Sequence, residues 1–314
     1  MAKFNVHTTS DEASEALKDS IAGKTIIITG VSPNSLGADT ARAVVAHKPG
    51  KLILASQTES KLREVQEGLN IPQGTDVQLL VLNLASLEAV RKAATEVLDH
   101  VNKIDVMICT AGVMGTPYQK SEDGIELQFA VNHLGHFLFV NLLLEKLLLG
   151  DSTVVTYNSE AQTCATPAWL DDITYNDGKN YNKWVAYSNS KFADVLLSVG
   201  LVDRFGKRGL RSFSVDPGVI VTTTLTRSVA PEEFRALGWV DENGNLSSDV
   251  KTKTCAEGSA TGIIAAFDRR LSNEKGYFLA DGNMTEEGVH AAAIDVENAR
   301  RLWKISEDLV KQTF

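Results

Sequence analysis

The sequence predicts an α/β fold, a single domain built on a doubly wound parallel sheet of about seven strands. Two observations predict it. Short apolar runs, which suit parallel strands covered by helices on both faces, alternate with longer segments of helical pattern. Early in the chain this strand–helix–strand repeat takes roughly 25–30 residues, the length of the right-handed unit from which Rossmann-type sheets are built.

Each predicted strand is a short apolar run. The seven runs are KTIIIT (24–29), KLILAS (51–56), VQLLVL (77–82), IDVMIC (104–109), STVVTY (152–157), LRSFSV (210–215) and GYFLAD (276–281). The first helices between them are predicted at 36–48, LGADTARAVVAHK, and at 86–101, SLEAVRKAATEVLDHV. The second of these begins at Ser86, a residue type that caps helix N-termini with its side-chain oxygen.

Composition limits the organisation of the chain and its partners. Hydrophobic residues make up 43% and charged residues 23% of the 314 residues, as in a globular protein with a sizeable core. We expect an N-terminal extension at 1–20, one domain at 21–314 and an irregular insert near 223–255. A net charge of −9 argues against nucleic acid and anionic membranes as partners, because both select basic surfaces.

The sequence predicts neither a signal peptide nor a membrane span. Residues 1–20 are too polar for a signal peptide, and the most apolar stretch, 137–149, is too short to cross a bilayer. The three cysteines, Cys109, Cys164 and Cys255, form no CxxC pair. This pattern favours reduced thiols and a cytoplasmic location.

The loop TGVSPNSLG (29–37) lies between the first strand and the first helix. In that position Gly30 supplies a tight turn, and Gly37 permits close approach at the start of the helix. Backbone N–H groups and the helix N-terminus would then face a pyrophosphate. The loop by itself is a weak signal, and a purely structural turn is the alternative.

The end of the second strand indicates which dinucleotide the loop would bind. Ser56 stands where these folds contact the adenosine ribose, and a carboxylate there would favour NAD because it repels a 2′-phosphate. The segment ASQTESK has no acid at 56 or 57 and places Lys61 one helical turn further on. It therefore favours NADP(H) over NAD(H).

A tyrosine and a lysine are spaced for acid–base chemistry. In YSNSK, Tyr187 and Lys191 are four residues apart and project from one face of a helix. The ammonium favours the phenolate and lowers the pKa of the tyrosine, so that Tyr187 can exchange a proton with a carbonyl or alcohol oxygen. Ser159, just after the fifth predicted strand, could hold the same oxygen. An exposed helical pair is the alternative interpretation.

Six short motifs follow one another along the chain: TG…LG, the AG of CTAGVM, NHLGHF, the S of NSEAQ, YSNSK and DPGVIVT. As a set they resemble the classical short-chain dehydrogenase/reductase family, from about residue 20 to the C-terminus. WVAYSNSK and the tail YFLADG…NARRLWKISEDLV further resemble its retinol-dehydrogenase-like branch, especially the fungal members. The resemblance implies a catalytic set of Asn132, Ser159, Tyr187 and Lys191, in which Asn132 holds a helix and a proton-relay water near Lys191.

The resemblance also implies the residues that bind the cofactor. They are Gly30, Ser32, Ser35, Leu36, Gly37, Ser56, Gln57, Lys61, Asn83, Leu84, Ala111, Gly112, Tyr187, Lys191, Pro217, Gly218, Ile220 and Thr222. Three of them depart from the family pattern: Ser35 replaces a glycine, Gln57 stands where NADP-dependent relatives carry arginine, and Asn83 replaces an aspartate. A neutral Gln57 weakens the preference for NADP(H) without creating one for NAD(H).

Several other chemically reactive side chains are interpreted as packing residues of the core. His133 and His136 lack an acidic or cysteine partner at ligand spacing, so we expect no metal site, and Cys109 is interpreted as a core residue. Four aromatic residues between Ser159 and Tyr187 have two interpretations, core packing or the wall of a bulky apolar substrate site. They are Trp169, Tyr175, Tyr181 and Trp184.

Two functions fit these observations. The first is an NADPH-dependent carbonyl reductase or alcohol dehydrogenase acting on a hydrophobic small molecule, with secondary-metabolite biosynthesis as the setting that the resemblance implies. The alternative is a net-neutral epimerase or cyclase, or a cofactor-sensing protein, on the same scaffold. The apolar segments 136–149 and 192–205 are consistent with a homodimer of the family type, unless the C-terminal helix or the N-terminal extension covers them.

Overall fold

The fold is built on an eight-stranded sheet. In the computed structural model, which describes residues 4–273 and 277–314, the strands are β1 (Thr25–Thr29), β2 (Lys51–Ser56), β3 (Asp76–Val81), β4 (Val106–Cys109), β5 (Thr153–Tyr157), β6 (Arg211–Asp216), β7 (Phe278–Ala280) and β8 (Asn283–Met284). Their order in the sheet is β3-β2-β1-β4-β5-β6-β7-β8. Strands β1 to β7 run parallel, and β8 pairs antiparallel with β7.

The predicted α/β sheet is therefore confirmed, with all seven predicted strands in place. The eighth strand has two residues, too few to leave an alternating pattern in the sequence. Gly276, the first residue of the seventh predicted run, lies outside the described residues.

Helices connect the strands. They are α1 (Ser10–Ala16), α2 (Lys18–Ile21), α3 (Leu36–Val45), α4 (Glu59–Glu67), α5 (Leu87–His100), α6 (Leu127–Phe129), α7 (Gly135–Leu142), α8 (Leu144–Leu147), α9 (Lys183–Phe205), α10 (Pro231–Ala236), α11 (Cys255–Phe267) and α12 (Val296–Val310). Both helices predicted early in the chain form, as α3 and α5. Ser86 caps α5 as predicted, since its hydroxyl accepts a hydrogen bond from the N–H of Ala89 at 3.4 Å.

Helices cover both faces of the sheet, and consecutive strand residues point into opposite cores. In β1, Ile27 packs in the core formed with α5, α7, α9 and α12. Its neighbours Ile26 and Ile28 pack in the other core, formed with α1, α3 and α11. This double coverage explains why the strand sequences are apolar at nearly every position.

The N-terminal extension folds back onto the domain. Thr9 and Glu12 form a capping box at the start of α1, which packs on α3 and α11. The Arg42 guanidinium of α3 donates hydrogen bonds to Asp11 at 2.7 Å and to Asp39 at 3.0 Å. The extension thus helps to fix α3, the helix that follows the glycine loop.

The C-terminal helix α12 packs on α9 and α7. The Trp303 ring lies 4.9 Å from that of Phe137, and a Cβ at Gly200 would come within 2.9 Å of it. Ser306 and His133 form a hydrogen bond of 2.9 Å between α12 and the segment before α7. The C-terminal helix therefore covers part of the apolar surface for which the sequence left a homodimer open.

The segment 223–255, where the sequence predicts an insert, contains little regular secondary structure. It contains a 3₁₀ turn at Thr224–Ser228, then α10, then an isolated bridge between Val240 and Leu246. An ion pair between Lys183 of α9 and Glu233 of α10 ties the insert to the long helix. Within the described residues, no helix is long and apolar enough to cross a membrane.

Candidate active site

A cleft of about 440 Å³ opens at the carboxyl ends of the parallel strands. It lies between the loops that follow the neighbouring strands β1 and β4, where the strand order changes direction. Such a switch point is where open α/β sheets bind ligands. Eleven of the predicted cofactor residues line this cleft: Gly30, Ser32, Ser35, Leu36, Ser56, Gln57, Lys61, Asn83, Leu84, Ala111 and Gly112.

The two glycines of the loop after β1 are explained by close packing. Gly30 has a φ of +70°, and a Cβ there would lie 2.7 Å from the backbone of Ala111. A Cβ at Gly37 would lie 2.8 Å from Thr110 Oγ1. Because real Cβ atoms do not approach that closely, any larger residue would separate the two loops that form the cleft. Gly37 itself lies behind the cleft wall.

Ser35, which replaces a family glycine, caps helix α3. Its hydroxyl accepts hydrogen bonds of 3.1 Å from the N–H groups of Ser32 and Ala38. The cap places the N-terminus of α3 at the cleft, where Leu36 is part of the wall. The positive end of a helix dipole at that position favours an anionic ligand.

The segment after β6 reaches the cleft later than the resemblance implies. Four predicted residues lie outside the cleft wall: Pro217, Gly218, Ile220 and Thr222. The wall is formed instead by Thr223, Thr224, Leu225 and Arg227. Gly218 turns the chain with a φ of +74°, and Ile220 packs against Gly258 of α11, so the segment first contacts the cleft at Thr223.

The charged residues of the cleft wall are Lys61 and Arg227. Among the described residues that line the cleft there is no aspartate or glutamate. Neither cation has a carboxylate within ion-pair distance in the described part of the chain. The sequence offered no signal for Arg227, because only the folding of the insert brings it to this wall.

The four predicted catalytic residues meet beside Gly112, at the edge of the cleft. A Cβ at Gly112 would lie 3.2 Å from Asn132 Oδ1 and 3.8 Å from Lys191 Nζ, so these two polar groups are neighbours. Lys191 Nζ in turn lies 6.0 Å from the centroid of the Tyr187 ring. Asn132 sits in a π-helical turn, Ala130–Leu134, a deformation that occurs often at functional sites.

Hydrogen bonds from neighbouring elements fix this group. The Asn132 side-chain amide donates to Ser190 Oγ at 2.8 Å, which ties the π-helical turn to α9. Lys191 Nζ donates to the main-chain oxygen of Tyr157, the last residue of β5, at 2.8 Å. Ser159 lies two residues after the end of that strand and caps a short 3₁₀ turn, Glu160–Cys164. The four side chains therefore come from three separate segments of the chain.

The phenol of Tyr187 is 5% exposed, and its pKa lies above the ordinary value. Burial is the largest cause; the Lys191 ammonium and a hydrogen-bonding interaction with Ser159 act in the opposite direction. The carboxylates of Asp216 and Asp194 raise the pKa further. Lys191 thus contributes in the predicted direction, but burial outweighs it, and at neutral pH Tyr187 is held protonated.

Asp194 is a neighbour of Lys191 that the sequence analysis missed. Its Oδ2 accepts a hydrogen bond from Lys191 Nζ at 3.0 Å, and the two side chains are 3% and 6% exposed. The three-residue spacing of Lys191 and Asp194 in the sequence predicts this contact, because residues three apart on a helix are neighbours on its surface.

An apolar cluster packs around the tyrosine; its members are Met114, Tyr187, Val229, Ala161, Trp184, Leu225 and Phe234. Leu225, Val229 and Phe234 belong to the insert, which therefore covers this side of Tyr187. Gly115 allows the cluster to pack closely: a Cβ there would lie 3.1 Å from Val229 and 3.3 Å from Trp184.

Of the four aromatic residues considered in the sequence, one lies in this apolar cluster. Trp184 does, whereas Trp169 packs in the main core against Phe129, with ring centroids 5.3 Å apart. Tyr175 accepts a hydrogen bond from Asn189 at 3.1 Å within the same core. The third, Tyr181, donates to the main-chain oxygen of Thr116 at 3.0 Å. The substrate-wall interpretation is therefore wrong for these three residues, because their polar atoms are engaged in internal bonds or their rings in the core.

The two histidines and Cys109 are packing residues. Burial lowers the pKa of His133 to about 3 and that of His136 to about 4, so both are neutral. His133 stacks on Phe129, and His136 bonds Thr29 Oγ1 at 2.9 Å. Cys109 is buried in the core, as predicted. The described residues contain no group of three or more His, Cys, Asp or Glu side chains that could hold a metal ion.

Comparison with known proteins supports the family indicated by this geometry. A family model described as short chain dehydrogenase matches residues 24–170. The short-chain dehydrogenase/reductase prx1 of Penicillium rubens is 33% identical over 303 residues, which cover 92% of this chain and 85% of the relative. Retinol dehydrogenase 14 of Mus musculus is 36% identical over 301 residues, which cover 92% of this chain and 86% of the relative.

Solved structures share the fold. An uncharacterized protein from Mycobacterium paratuberculosis has a TM-score of 0.69 at 29% identity, covering 94% of this chain and 96% of that one. A short chain dehydrogenase from Shigella flexneri, solved in complex with NADP, has a TM-score of 0.63 at 20% identity, covering 85% and 100%. The predicted resemblance is confirmed: the chain belongs to the short-chain dehydrogenase/reductase family, matches its retinol-dehydrogenase-like branch, and is an NAD(P)-dependent oxidoreductase.

Proposed function

We propose that the protein uses NADPH to reduce a carbonyl group on a hydrophobic small molecule, and that the same residues serve the reverse oxidation of the alcohol. The position of Tyr187 carries this proposal. Its buried, protonated phenol lies between the polar group beside the cofactor cleft and the apolar cluster formed with the insert. A substrate bound against this cluster would present its reacting oxygen to this phenol.

A dinucleotide fits the cleft by position and by donor chemistry. Gly30, Ser35 and Leu36 would hold the pyrophosphate at the N-terminus of α3, Ser56 would hold the adenosine ribose, and Lys191 the nicotinamide ribose. When bound, the nicotinamide supplies the hydride. Since no side chain at Gly112 separates the cleft from Lys191 Nζ, the ammonium can serve both the cofactor and the phenol.

In the proposed reduction, Tyr187 donates its phenolic proton to the carbonyl oxygen, and the Ser159 hydroxyl holds that oxygen. A raised pKa suits this direction, because the protonated phenol is the form that donates. Lys191 stabilises the phenolate that results. Asn132, beside Lys191, completes the route by which the phenol regains a proton.

NADP(H) is the proposed cofactor in preference to NAD(H). Lys61 and Arg227 in the cleft wall, with no acid among its described residues, support this choice because a 2′-phosphate is stabilised by cations and repelled by carboxylates. The structural neighbour from Shigella flexneri was solved in complex with NADP, but at 20% identity this similarity supports the fold and not the choice of cofactor.

The proposed setting is biosynthesis of a secondary metabolite in the cytoplasm. The resemblance to fungal members of the branch supports the role in biosynthesis. The three cysteines, all free thiols, support the cytoplasmic location because they fit a reducing compartment.

The test is turnover with NADPH and a panel of aldehydes and ketones that differ in apolar bulk, followed by the absorbance of the reduced nicotinamide. We expect oxidation of NADPH with the bulkier apolar carbonyls and little with small polar ones. Tyr187→Phe should lower the rate by about 10²–10⁴-fold, because only the transferable proton is removed. Fluorescence titration should show unchanged NADPH binding in that variant.

Two results would contradict the proposal. An active Tyr187→Phe variant would remove Tyr187 from its role as the acid. Tight NADPH binding without consumption by any carbonyl, together with isomerisation or cyclisation of a substrate, would favour the net-neutral alternative.

A further inference from the structure

Tyr187, Lys191 and Asp194 occupy one face of α9, at positions i, i+4 and i+7. Asp194 is 3% exposed at its side chain and lies 3.0 Å from Lys191 Nζ. Lys191 is the only cation within ion-pair distance of this carboxylate in the described ranges 4–273 and 277–314. Burial raises the pKa of Asp194 to about 7, so above that pH the polar group beside the cleft contains a buried anion in direct contact with the lysine.

The contact limits how the ammonium can be used. An ammonium has three N–H donors. One is directed at the main-chain oxygen of Tyr157 at 2.8 Å and a second at Asp194 at 3.0 Å. A single donor remains for the nicotinamide ribose or the phenol, and the two occupied donors determine its direction.

The same carboxylate changes the charge balance at the phenol. Burial lowers the pKa of Lys191, whereas Asp194 and Tyr187 raise it, and the resulting pKa lies above the ordinary value. For Tyr187, Lys191 lowers the pKa and Asp194 raises it. Asp194 therefore opposes part of the effect that the lysine has on the tyrosine.

The other titratable groups around this cluster do not replace Asp194. His136 of α7 is neutral, because burial lowers its pKa to about 4. Cys109 at the end of β4 is a buried thiol whose pKa is raised. Asp216, at the end of β6, also raises the pKa of Tyr187, but its carboxylate accepts the N–H of Gly218 and not the lysine.

We propose that Asp194 is a positioning residue for the reaction: it orients the free donor of Lys191 and extends to higher pH the range in which Tyr187 can give up its proton to a carbonyl. The proposal rests on the proposed function, in which Tyr187 is the acid. Loss of the negative charge would favour the phenolate, so both the reductive and the oxidative pH profiles would move toward acid.

The test is the pH dependence of kcat/KM in Asp194→Asn, which keeps the size and an acceptor oxygen but removes the charge. We expect the alkaline limb for carbonyl reduction to move to lower pH by about one unit, the scale of a neighbouring-charge effect. Ser198→Ala is the matched control, because Ser198 is also buried on α9, one turn after Asp194. The Thr156 hydroxyl contacts both residues: it lies 3.2 Å from Ser198 Oγ and donates to the main-chain oxygen of Asp194 at 3.1 Å. Ser198→Ala should leave the limb in place.

A second readout needs no substrate. Ultraviolet difference titration against Tyr187→Phe isolates the phenolate of Tyr187, which should form at lower pH in Asp194→Asn than in the parent. Should Asp194→Asn fail to fold, Asp194→Ser removes the charge with a smaller side chain and is expected to give the same shift.

The outcomes separate the two proposals. A shift in the phenolate titration, in a protein that reduces no carbonyl, would keep the role of Asp194 at the phenol and refute the reductase. Carbonyl reduction with an unchanged limb and an unchanged titration, in a folded variant with native circular dichroism, would show that Asp194 serves packing alone.

Discussion

Gln57 offers the sharpest test of the proposed cofactor preference. Its exposed side chain lies in the cleft wall, and its amide donates to Asn83 Oδ1 at 3.3 Å. Lys61 lies one helical turn further along the same wall. Gln57→Arg would add a third cation to the cleft wall for a 2′-phosphate, whereas Gln57→Glu would add a carboxylate that repels it.

The size of the effect follows from the exposure of the site. A hydrogen bond to a charged group contributes about 1.5–3 kcal/mol when it is shielded from water. At an exposed position, solvent screening and the ordering of a long side chain reduce the gain to about 1 kcal/mol, or about fivefold in Kd. The lost bond between Gln57 and Asn83 is long and exposed, so its removal costs little. Gln57→Glu should weaken NADPH binding by a similar factor.

Fluorescence titration of NADPH and NADH measures these constants. NADH lacks the 2′-phosphate, so its Kd should be unchanged in Gln57→Arg, and the NADPH gain should shrink as salt rises. Arg63→Gln is the matched control: Arg63 is an exposed cation on α4, paired with Glu59 and outside the cleft wall. The reasoning is refuted if the parent binds NADH more tightly than NADPH, or if Arg63→Gln changes NADPH binding as much as the substitutions at Gln57.

Four further predictions concern the insert, the C-terminal helix, the oligomeric state and the buried histidines. Phe234→Ala should raise KM for bulky apolar carbonyls several-fold and leave the Kd of NADPH unchanged, because Phe234 packs in the apolar cluster around Tyr187 and not in the cleft wall. Equal changes in both constants would contradict a role of this cluster in substrate binding. Trp303→Ala should lower the free energy of unfolding by about 3–5 kcal/mol in urea titrations, since the ring is buried. Light scattering of the parent at micromolar concentration should give a monomer mass. A dimer mass would show that α12 does not cover the surface that a second protomer would cover. The free energy of unfolding should fall as the pH drops below about 6.5. In the unfolded chain His133 and His136 bind protons at that pH, whereas in the folded protein their pKa values are lowered to about 3 and about 4. Each histidine contributes a slope of about 1.4 kcal/mol per pH unit, and an unchanged slope in His133→Gln would exclude that residue as a cause.

The sequence determined those features that depend on neighbouring residues. Apolar runs with helical segments between them predicted the seven parallel strands, because a strand buried on both faces must be apolar at every position. Gly30 and Gly37 marked the loop at the cleft, and the four-residue spacing of Tyr187 and Lys191 placed both on one face of α9. The spacing of Asp194 from Lys191 is equally local, and it was overlooked although the pattern was there.

Only the tertiary structure decided which faces meet. Trp184 and Tyr181 lie three residues apart in the sequence, yet Trp184 lies in the apolar cluster around Tyr187 and Tyr181 bonds to a main-chain oxygen at the edge of the core. Arg227 reaches the cleft wall from the insert, which an ion pair between Glu233 and Lys183 joins to α9. Trp303 covers α9 from more than a hundred residues away. The periodicity of the sequence shows how a side chain is oriented on its own helix or strand. What that side chain contacts depends on packing between distant segments, because the same apolar residue can pack equally well in a core, a substrate wall or a contact between helices.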